Sequence, residues 1–379
     1  MLVLALSPPG PYFVSSDTPP RPLNEGELLK EKSLLGVILI AVVQLAAAGL
    51  QSAFAQPGRA AGFWDLFGES YQGNCRMWKH NTERNPVLPK DSVILWKETW
   101  TANPATLHFK GRYLLYYRGH GRTPANPKGH DRLAVAEIVK VTRGEFVFSD
   151  LNGKNFIVDV GLPGAFDDAD VLDPSAIEFH GKVMIYYSGV GTGPNSVGLA
   201  VSDDGEHFTK MGKVMEGRAP SAIVKDDKVY VLYQKDSGRG WLVLYLAVSD
   251  DGVHFEDVQE EPVFKGQDGG WDKYVTTGRL YREGGEFLLI YGGSPDLNDQ
   301  PDYFGIARSR DLLIWEKHRG NPVFGLSAKG EADGGAIWFP ALIETPDAYV
   351  LLYEGSRGRY AWDLSSQICM SSIEKRGKR

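Results

Sequence analysis

The sequence predicts an all-β fold, a five-bladed β-propeller of four-stranded antiparallel blades around a central channel. Three observations predict it. A strand–turn–strand unit recurs five times, and a second hairpin follows most copies. Helical periodicity is scarce. Gly (44), Tyr (17) and Phe (17) are abundant, the mixture that many short strands and tight turns produce.

The N-terminus stands apart. Residues 1–29 are Pro-rich and aperiodic, as expected if the start codon is assigned too early. Lys30-Glu31-Lys32, an apolar run from Leu34 to Leu50 and the small-x-small site Ala53-Phe54-Ala55 then follow. That is the order of a charged n-region, an h-region and a cleavage site. Residues 1–55 therefore read as a leader with a secretory signal, and the mature chain starts near Gln56. The expected location is secreted or periplasmic, with no membrane contact after cleavage. An uncleaved anchor is the alternative, and the run is at the short end for a span. Residues 56–97 are read as an N-terminal segment that closes the ring, and 98–379 as the propeller catalytic domain.

The repeat begins with "TANPATLHFKGRYLLYYRG" from Thr101. It returns as "VLDPSAIEFHGKVMIYYSG" from Val171 and "GRAPSAIVKDDKVYVLYQK" from Gly217. "TTGRLYREGGEFLLIYGGS" from Thr276 and "WFPALIETPDAYVLLYEGS" from Trp338 complete the five. Each holds two alternating strands around a turn pair, such as Lys110-Gly111 or Gly284-Gly285. "VGLAVSDDGEHFTK", "LYLAVSDDGVHFED" and "FGIARSRDLLIWEK" supply the second hairpins. The anchors Pro104, Pro174, Pro220, Gly278 and Pro340 are spaced by 70, 46, 58 and 62 residues, a blade period.

Strand pairing between the chain ends should close the ring. Cys75 and Cys369 are the two cysteines, near opposite ends of the mature chain. Paired, they would staple the closure, worth about 4 kcal/mol or more by loop entropy. Two unrelated thiols are the alternative left open.

Propeller geometry gathers the opening residues of the inner strands at one mouth: Asn103, Asp173, Arg218, Thr276, Thr277, Trp338 and Phe339. The segments 118–132, 234–240, 292–303 and 354–363 are read as loops on the same face. The "SDDG" and "FKGR" turns fall on the opposite face, where their charges serve turn chemistry. The net charge of -7 is interspersed, with no basic block, so nucleic acid is not an expected partner.

From Glu98 to Glu374 the repeat, and "LDPSAIEFHGKVMIYYSG" above all, resembles the five-bladed propeller glycosidases. These are glycoside hydrolase family 43, its invertase-like neighbours, and families 117 and 130. The resemblance implies a glycosidase acting on a poly- or oligosaccharide by paired carboxylates, one as acid and one as base. Family 43 places an Asp before Pro in blade one, an Asp before Pro in blade two, and a Glu two residues before Pro in blade three. Only Asp173 matches. Asn103 cannot act as a base, and Arg218 stays charged and cannot act as the acid.

Glu354 is the candidate replacement, an acid where the other blades carry Arg118, Ser188, Gln234 and Gly292. Asp173, Glu354 and Asp170 are the expected catalytic residues. Asn103, Arg118, His120, Arg218, Asp272, Thr277, Trp338 and Arg357 are the expected substrate contacts. For Asp167 and Asp272 the recurring aromatic-Asp pair also suggests a structural role. Glu98 and Asp333 are weaker candidates. Trp100, Trp362 and Tyr360 are candidate stacking platforms for sugar rings.

Basic residues crowd the mouth: Arg118, His120, Arg122, His130, Arg132, Arg218, Lys235, Arg239, Arg357 and Arg359. They suggest an anionic glycan or, as in the family-130 phosphorylases, inorganic phosphate as nucleophile. The competing expectation is that at least half pair neighbouring acids. No cofactor is required by any motif, and no metal-ligand set is assigned. A Ca2+ ion in the channel would suit a propeller, though no spacing specifies it. A non-catalytic glycan-binding propeller is the remaining alternative.

Overall fold

The computed structural model describes residues 62–123, 126–151, 155–235, 242–297, 299–359 and 365–375. The expected leader, 1–55, lies outside them, as do Arg239, Tyr360 and Trp362.

The N-terminal segment forms a short helix, α1 (Tyr71–Arg76), capped by the Ser70 hydroxyl, and a two-residue strand, β1 (Lys79–His80). Blade one holds β2 (Trp100–Phe109), β3 (Arg112–Thr123), β4 (Asn126–Val141) and β5 (Phe146–Asp150). Blade two holds β6 (Asp170–Phe179), β7 (Lys182–Val190), β8 (Ser196–Ser202) and β9 (Thr209–Glu216). Blade three holds β10 (Arg218–Lys225), β11 (Lys228–Gln234), β12 (Tyr245–Ser249) and β13 (Glu256–Asp257). Blade four holds β14 (Tyr274–Glu283), β15 (Glu286–Ser294), β16 (Tyr303–Ser309) and β17 (Glu316–Lys317), with β18 (Phe324–Gly325) also on β16. Blade five holds β19 (Ala336–Glu344), β20 (Ala348–Ser356) and β21 (Gln367–Glu374), with β1 as its outer strand. The inner strands β2, β6, β10, β14 and β19 contact one another in turn and complete the ring.

The turns follow from the residues. Lys110-Gly111, His180-Gly181 and Asp226-Asp227 have positive φ at both central positions, the type I′ geometry that matches strand twist. In "SDDG" the Ser202 and Asp204 side chains accept from the following backbone amides, and Ser249 with Asp251 repeats this. Lys110 reaches the Asp203 carbonyl, so these turns share one face.

Closure is made by backbone pairing, Lys79 opposite Ser372 and His80 opposite Ser371. The disulfide is not formed, and both cysteines are free thiols. Cys75 on α1 turns toward the Pro322 carbonyl, whereas Cys369 is buried inside blade five beside Gly355. The segment 118–132 is not a loop. It extends the β3–β4 hairpin, with His120 opposite Asp131 and Gly121 opposite His130.

Each blade also carries one buried anchor. A tyrosine near the end of its second strand donates to an aspartate, which a lysine, or His80 in blade five, also contacts. The sets are Tyr117–Asp150–Lys97, Tyr187–Asp167–Lys210, Tyr233–Asp257–Lys235, Tyr291–Asp272–Lys317 and Tyr353–Asp333–His80. A buried phenol needs an acceptor, which the aspartate supplies, and in blades two, four and five the carboxylate is itself buried and needs the donors in turn.

Candidate active site

At the mouth every inner strand breaks register. The shifts fall between Ala102 and Ala105, Leu172 and Ser175, Arg218 and Ser221, Val275 and Thr277, and Trp338 and Ala341. In four blades the bulged residue before proline is left-handed: Asn103 (φ 48), Asp173 (φ 56), Ala219 (φ 50) and Phe339 (φ 48). A non-glycine residue there costs about 1–3 kcal/mol and persists only where the surroundings enforce it. Bulges re-aim side chains. Here they surround a cavity of about 240 Å3 at the channel mouth.

Asn103, Arg118, Asp173, Arg218, Thr277, Trp338 and Glu354, all expected from the sequence, line this cavity. Asp173 and Glu354 are 6% and 4% exposed. The Asn103 amide joins them: its Nδ2 donates to Glu354 Oε2 at 2.7 Å, and its Oδ1 accepts from the Asp173 backbone N–H at 3.4 Å. Asp173 Oδ2 accepts from the Ser188 hydroxyl at 2.7 Å, and that oxygen accepts in turn from the Ala219 N–H. Burial raises the Glu354 pKa, opposed in part by Arg118, Ser366 and the Asn103 backbone N–H.

Arg118 lies 3.5 Å from Glu354 and 3.6 Å from Asp131. Burial works against its charge, but Asp131, Glu354, Asp173 and Asp170 outweigh that and hold its pKa above the usual range. Trp100 donates to Asp131 at 2.9 Å and lies under the Arg118 guanidinium. Arg218, at the position where family 43 would carry its acid, donates to Asp299 at 2.7 Å and to Gln234 at 3.0 Å. Burial raises the Asp299 pKa against the pull of Arg218.

Four expected site residues do not line the cavity. Asp170 sits at the seam of blades one and two, accepting from the Asp131 N–H at 2.9 Å, with its pKa raised by burial. His120 stacks on Trp100 with ring centroids 4.2 Å apart, behind the wall. Asp272 is the blade-four anchor, held by Tyr291 and Lys317, so it cannot reach substrate. Arg357 is exposed on the rim. Of the weaker candidates, Glu98 pairs Arg122, and Asp333 is the blade-five anchor.

Most of the basic crowd is neutralised. Arg118, Arg122, Arg132, Arg218, Lys235 and Arg359 each pair a carboxylate. Among the described residues no group of three or more His, Cys, Asp or Glu could hold a metal ion. Deeper in the channel Arg279 donates to the Pro174 and Pro220 carbonyls at 2.8 and 2.9 Å and lies over Phe339.

The sequence reading passed over Asp299, Asp131 and Ser366. Asp299 lies in a segment already placed on the mouth face, but no pattern separates it from its neighbour Asp296. Asp131 becomes visible once 118–132 is read as paired strands, because it then falls opposite His120.

No protein-family model and no curated protein matches this chain. Solved structures do. A glycosyl hydrolase from Bacteroides ovatus superposes with a TM-score of 0.58 at 15% identity, over 80% of this chain and 94% of that one. A structure from the GH130 family of mannoside phosphorylases, a family containing hydrolases that target β-1,2 mannosidic linkages in Candida mannan, gives 0.59 at 15%, over 83% and 96%. A β-1,2-mannobiose phosphorylase from Listeria innocua, in complex with β-1,2-mannobiose, gives 0.58 at 15%, over 77% and 95%. The fold is that of the propeller glycoside hydrolases and phosphorylases. This chain spans nearly the whole length of each.

Proposed function

We propose that the protein is a glycoside hydrolase, secreted or periplasmic, that cleaves an oligo- or polysaccharide at the channel mouth. One observation carries the reading: two buried carboxylates, Asp173 and Glu354, face one cavity, and the Asn103 amide links the Glu354 carboxylate to the Asp173 backbone N–H. Their environments differ, which is what separates an acid from a base. Burial keeps the Glu354 proton on at higher pH, which suits it to protonate the leaving oxygen as the glycosidic bond breaks. Asp173, fixed through Ser188, takes the proton from the attacking water. Water thus supplies a hydroxyl to the sugar and a proton to the enzyme, and Glu354 returns a proton to the departing alcohol.

A second reading is phosphorolysis, favoured by the two guanidiniums in the cavity wall, Arg118 and Arg218, and by the mannobiose phosphorylase that shares this fold. Phosphate would have to compete with the carboxylates that already engage both.

The test assays sugar release from neutral and acidic oligosaccharides, with and without phosphate, for the purified protein, Asp173→Asn and Glu354→Gln. Release without phosphate that both variants abolish supports hydrolysis. Release only with phosphate moves the protein to the phosphorylases. Retained glycan binding with no release from any substrate leaves a binding propeller and refutes both enzyme readings.

A further inference from the structure

Each inner strand meets the channel with an edge that no strand pairs, and in blades three, four and five a side chain of the preceding blade caps it. The Ala222 N–H donates to Ser175 Oγ at 2.8 Å, the Leu280 N–H to Ser221 Oγ at 2.9 Å and the Leu342 N–H to the Tyr281 hydroxyl at 3.0 Å. Blades one and two lack the cap. Antiparallel pairs alternate between hydrogen-bonded and non-bonded residues, and a two-residue turn closes on a bonded pair. The turns of the first three blades close on Phe109 with Arg112, Phe179 with Lys182 and Lys225 with Lys228. Three residues back from each closing pair stand Thr106, Ala176 and Ala222, all in the non-bonded set. The N–H groups of Thr106 and Ala176 therefore point into the channel, as that of Ala222 does. The capping Ser175 and Ser221 directly follow their blade prolines. Ala341 and Ala105 hold that place in the blades before Thr106 and Ala176, and alanine has no oxygen to accept.

Thr106 and Ala176 line a second cavity, of about 50 Å3, deeper in the channel than the mouth, together with Ser175, Ser221 and Arg279. No Asp or Glu is among its lining residues. Arg279 is 5% exposed, and its two hydrogen bonds go to carbonyls. The Asp173 charge acts on it through space, but that carboxylate lines the mouth cavity and accepts from Ser188. A buried charge calls for a partner of opposite sign. Ser175 and Ser221, having accepted, still have their own protons to donate. Carbonyls on the same strand edges would suit water as well, so charge decides: a guanidinium and two uncapped amides select an anion. A Ca2+ ion would meet a cation and no carboxylate here. The volume holds one or two bodies the size of water at roughly 30 Å3 each, so a monatomic anion fits and phosphate does not.

We propose that the channel holds a chloride ion beneath the mouth, hydrogen-bonded by the Thr106 and Ala176 N–H groups and neutralising Arg279. It takes the place of the Ca2+ ion that a propeller channel suggests. Because Arg279 holds the Pro174 carbonyl, next to Asp173, the ion supports the floor of the mouth whichever reaction is performed there.

The experiment compares urea unfolding of the full protein in sodium chloride and in sodium gluconate at one ionic strength and pH, gluconate being too large for the cavity. The folding constant should rise about tenfold for each tenfold rise in chloride above its Kd, and should stay flat in gluconate. Ala105→Ser and Ala341→Ser each set a hydroxyl where Ser175 and Ser221 have one, so each caps an amide and should weaken the chloride dependence. Crystals grown in bromide should show an anomalous peak within hydrogen-bonding distance of the Thr106 and Ala176 N–H groups, a readout that needs no variant. Equal stability in chloride and gluconate, a chloride dependence unchanged in both serine variants, or water in the cavity of the bromide crystals would each overturn the inference.

Discussion

Arg279→Met is the most informative single substitution in the channel. The guanidinium is buried, with no carboxylate in hydrogen-bonding reach. Burial is the largest influence on it and lowers its pKa. Against that cost stand two hydrogen bonds, at 2.8 and 2.9 Å, and a contact over the Phe339 ring at 5.0 Å. Charged hydrogen bonds contribute about 1.5–3 kcal/mol each, and a desolvated cation–π contact up to about 2 kcal/mol. Methionine fills the stem volume and removes the buried charge, but it strands two carbonyls at about 1–3 kcal/mol each. The expected balance is a loss of about 2–4 kcal/mol, because the stranded carbonyls outweigh the relief of desolvation. Pro174 directly follows Asp173, so the strained bulge loses its tie and sugar release should fall as well. Urea unfolding measures the first effect through the midpoint at constant slope. A variant as stable as the parent, or more so, would refute the argument, showing that the cation is a burden which apolar packing replaces.

Four further outcomes are expected. Asp173→Asn should lower kcat by about 10²–10⁴-fold with the unfolding midpoint preserved, measured on the same preparation. Glu354 has a folded-state pKa above its unfolded value of about 4.3, so its contribution to stability is complete below that pH and is lost as pH rises through the raised value. Glu354→Gln should therefore flatten the fall in stability on the alkaline side in a pH series of unfolding curves. Asp272→Asn should cost about 1–3 kcal/mol through the Tyr291–Lys317 anchor while leaving KM unchanged, whereas a substrate contact would raise KM. Reductant should leave the unfolding midpoint of the native protein unchanged, because Cys75 and Cys369 are free.

The fold was legible because a propeller repeats its instructions. Five prolines or glycines, five turn pairs and five aromatic strand ends all report the same architecture, so no single ambiguous segment decides it. The site was legible only where it coincided with the repeat. Asn103, Asp173, Arg218, Thr277 and Trp338 open their strands, and Glu354 breaks a pattern the other blades keep. Asp299 hangs from a connection that has no counterpart elsewhere, and its role depends on where Arg218 points. Asp272 carried two readings, substrate contact and structural anchor, and the recurring aromatic-Asp pair pointed to the second. The acid is drawn into the blade interior by a tyrosine a full strand away, a partner that the three-dimensional pairing identifies.

Two rings of positions surround the mouth. In every blade an aspartate fixes the buried tyrosine, and the next residue along points to the opposite face of the sheet. That next residue is Arg118, Ser188, Gln234, Gly292 or Glu354. Beside it, the bulge before the proline or glycine presents Asn103, Asp173, Ala219, Thr277 or Phe339. The backbone geometry of both rings is set by anchors and bulges that do not depend on which side chain is presented. A carboxylate on the bulge of blade one or on the second strand of blade five would therefore face the same cavity, and here Glu354 takes the second place with the Asn103 amide binding it. The residue most dependent on the Glu354 position is Asn103: Asn103→Asp would set a second carboxylate against Glu354 and should restrict the fold to low pH, which a pH series of unfolding curves measures.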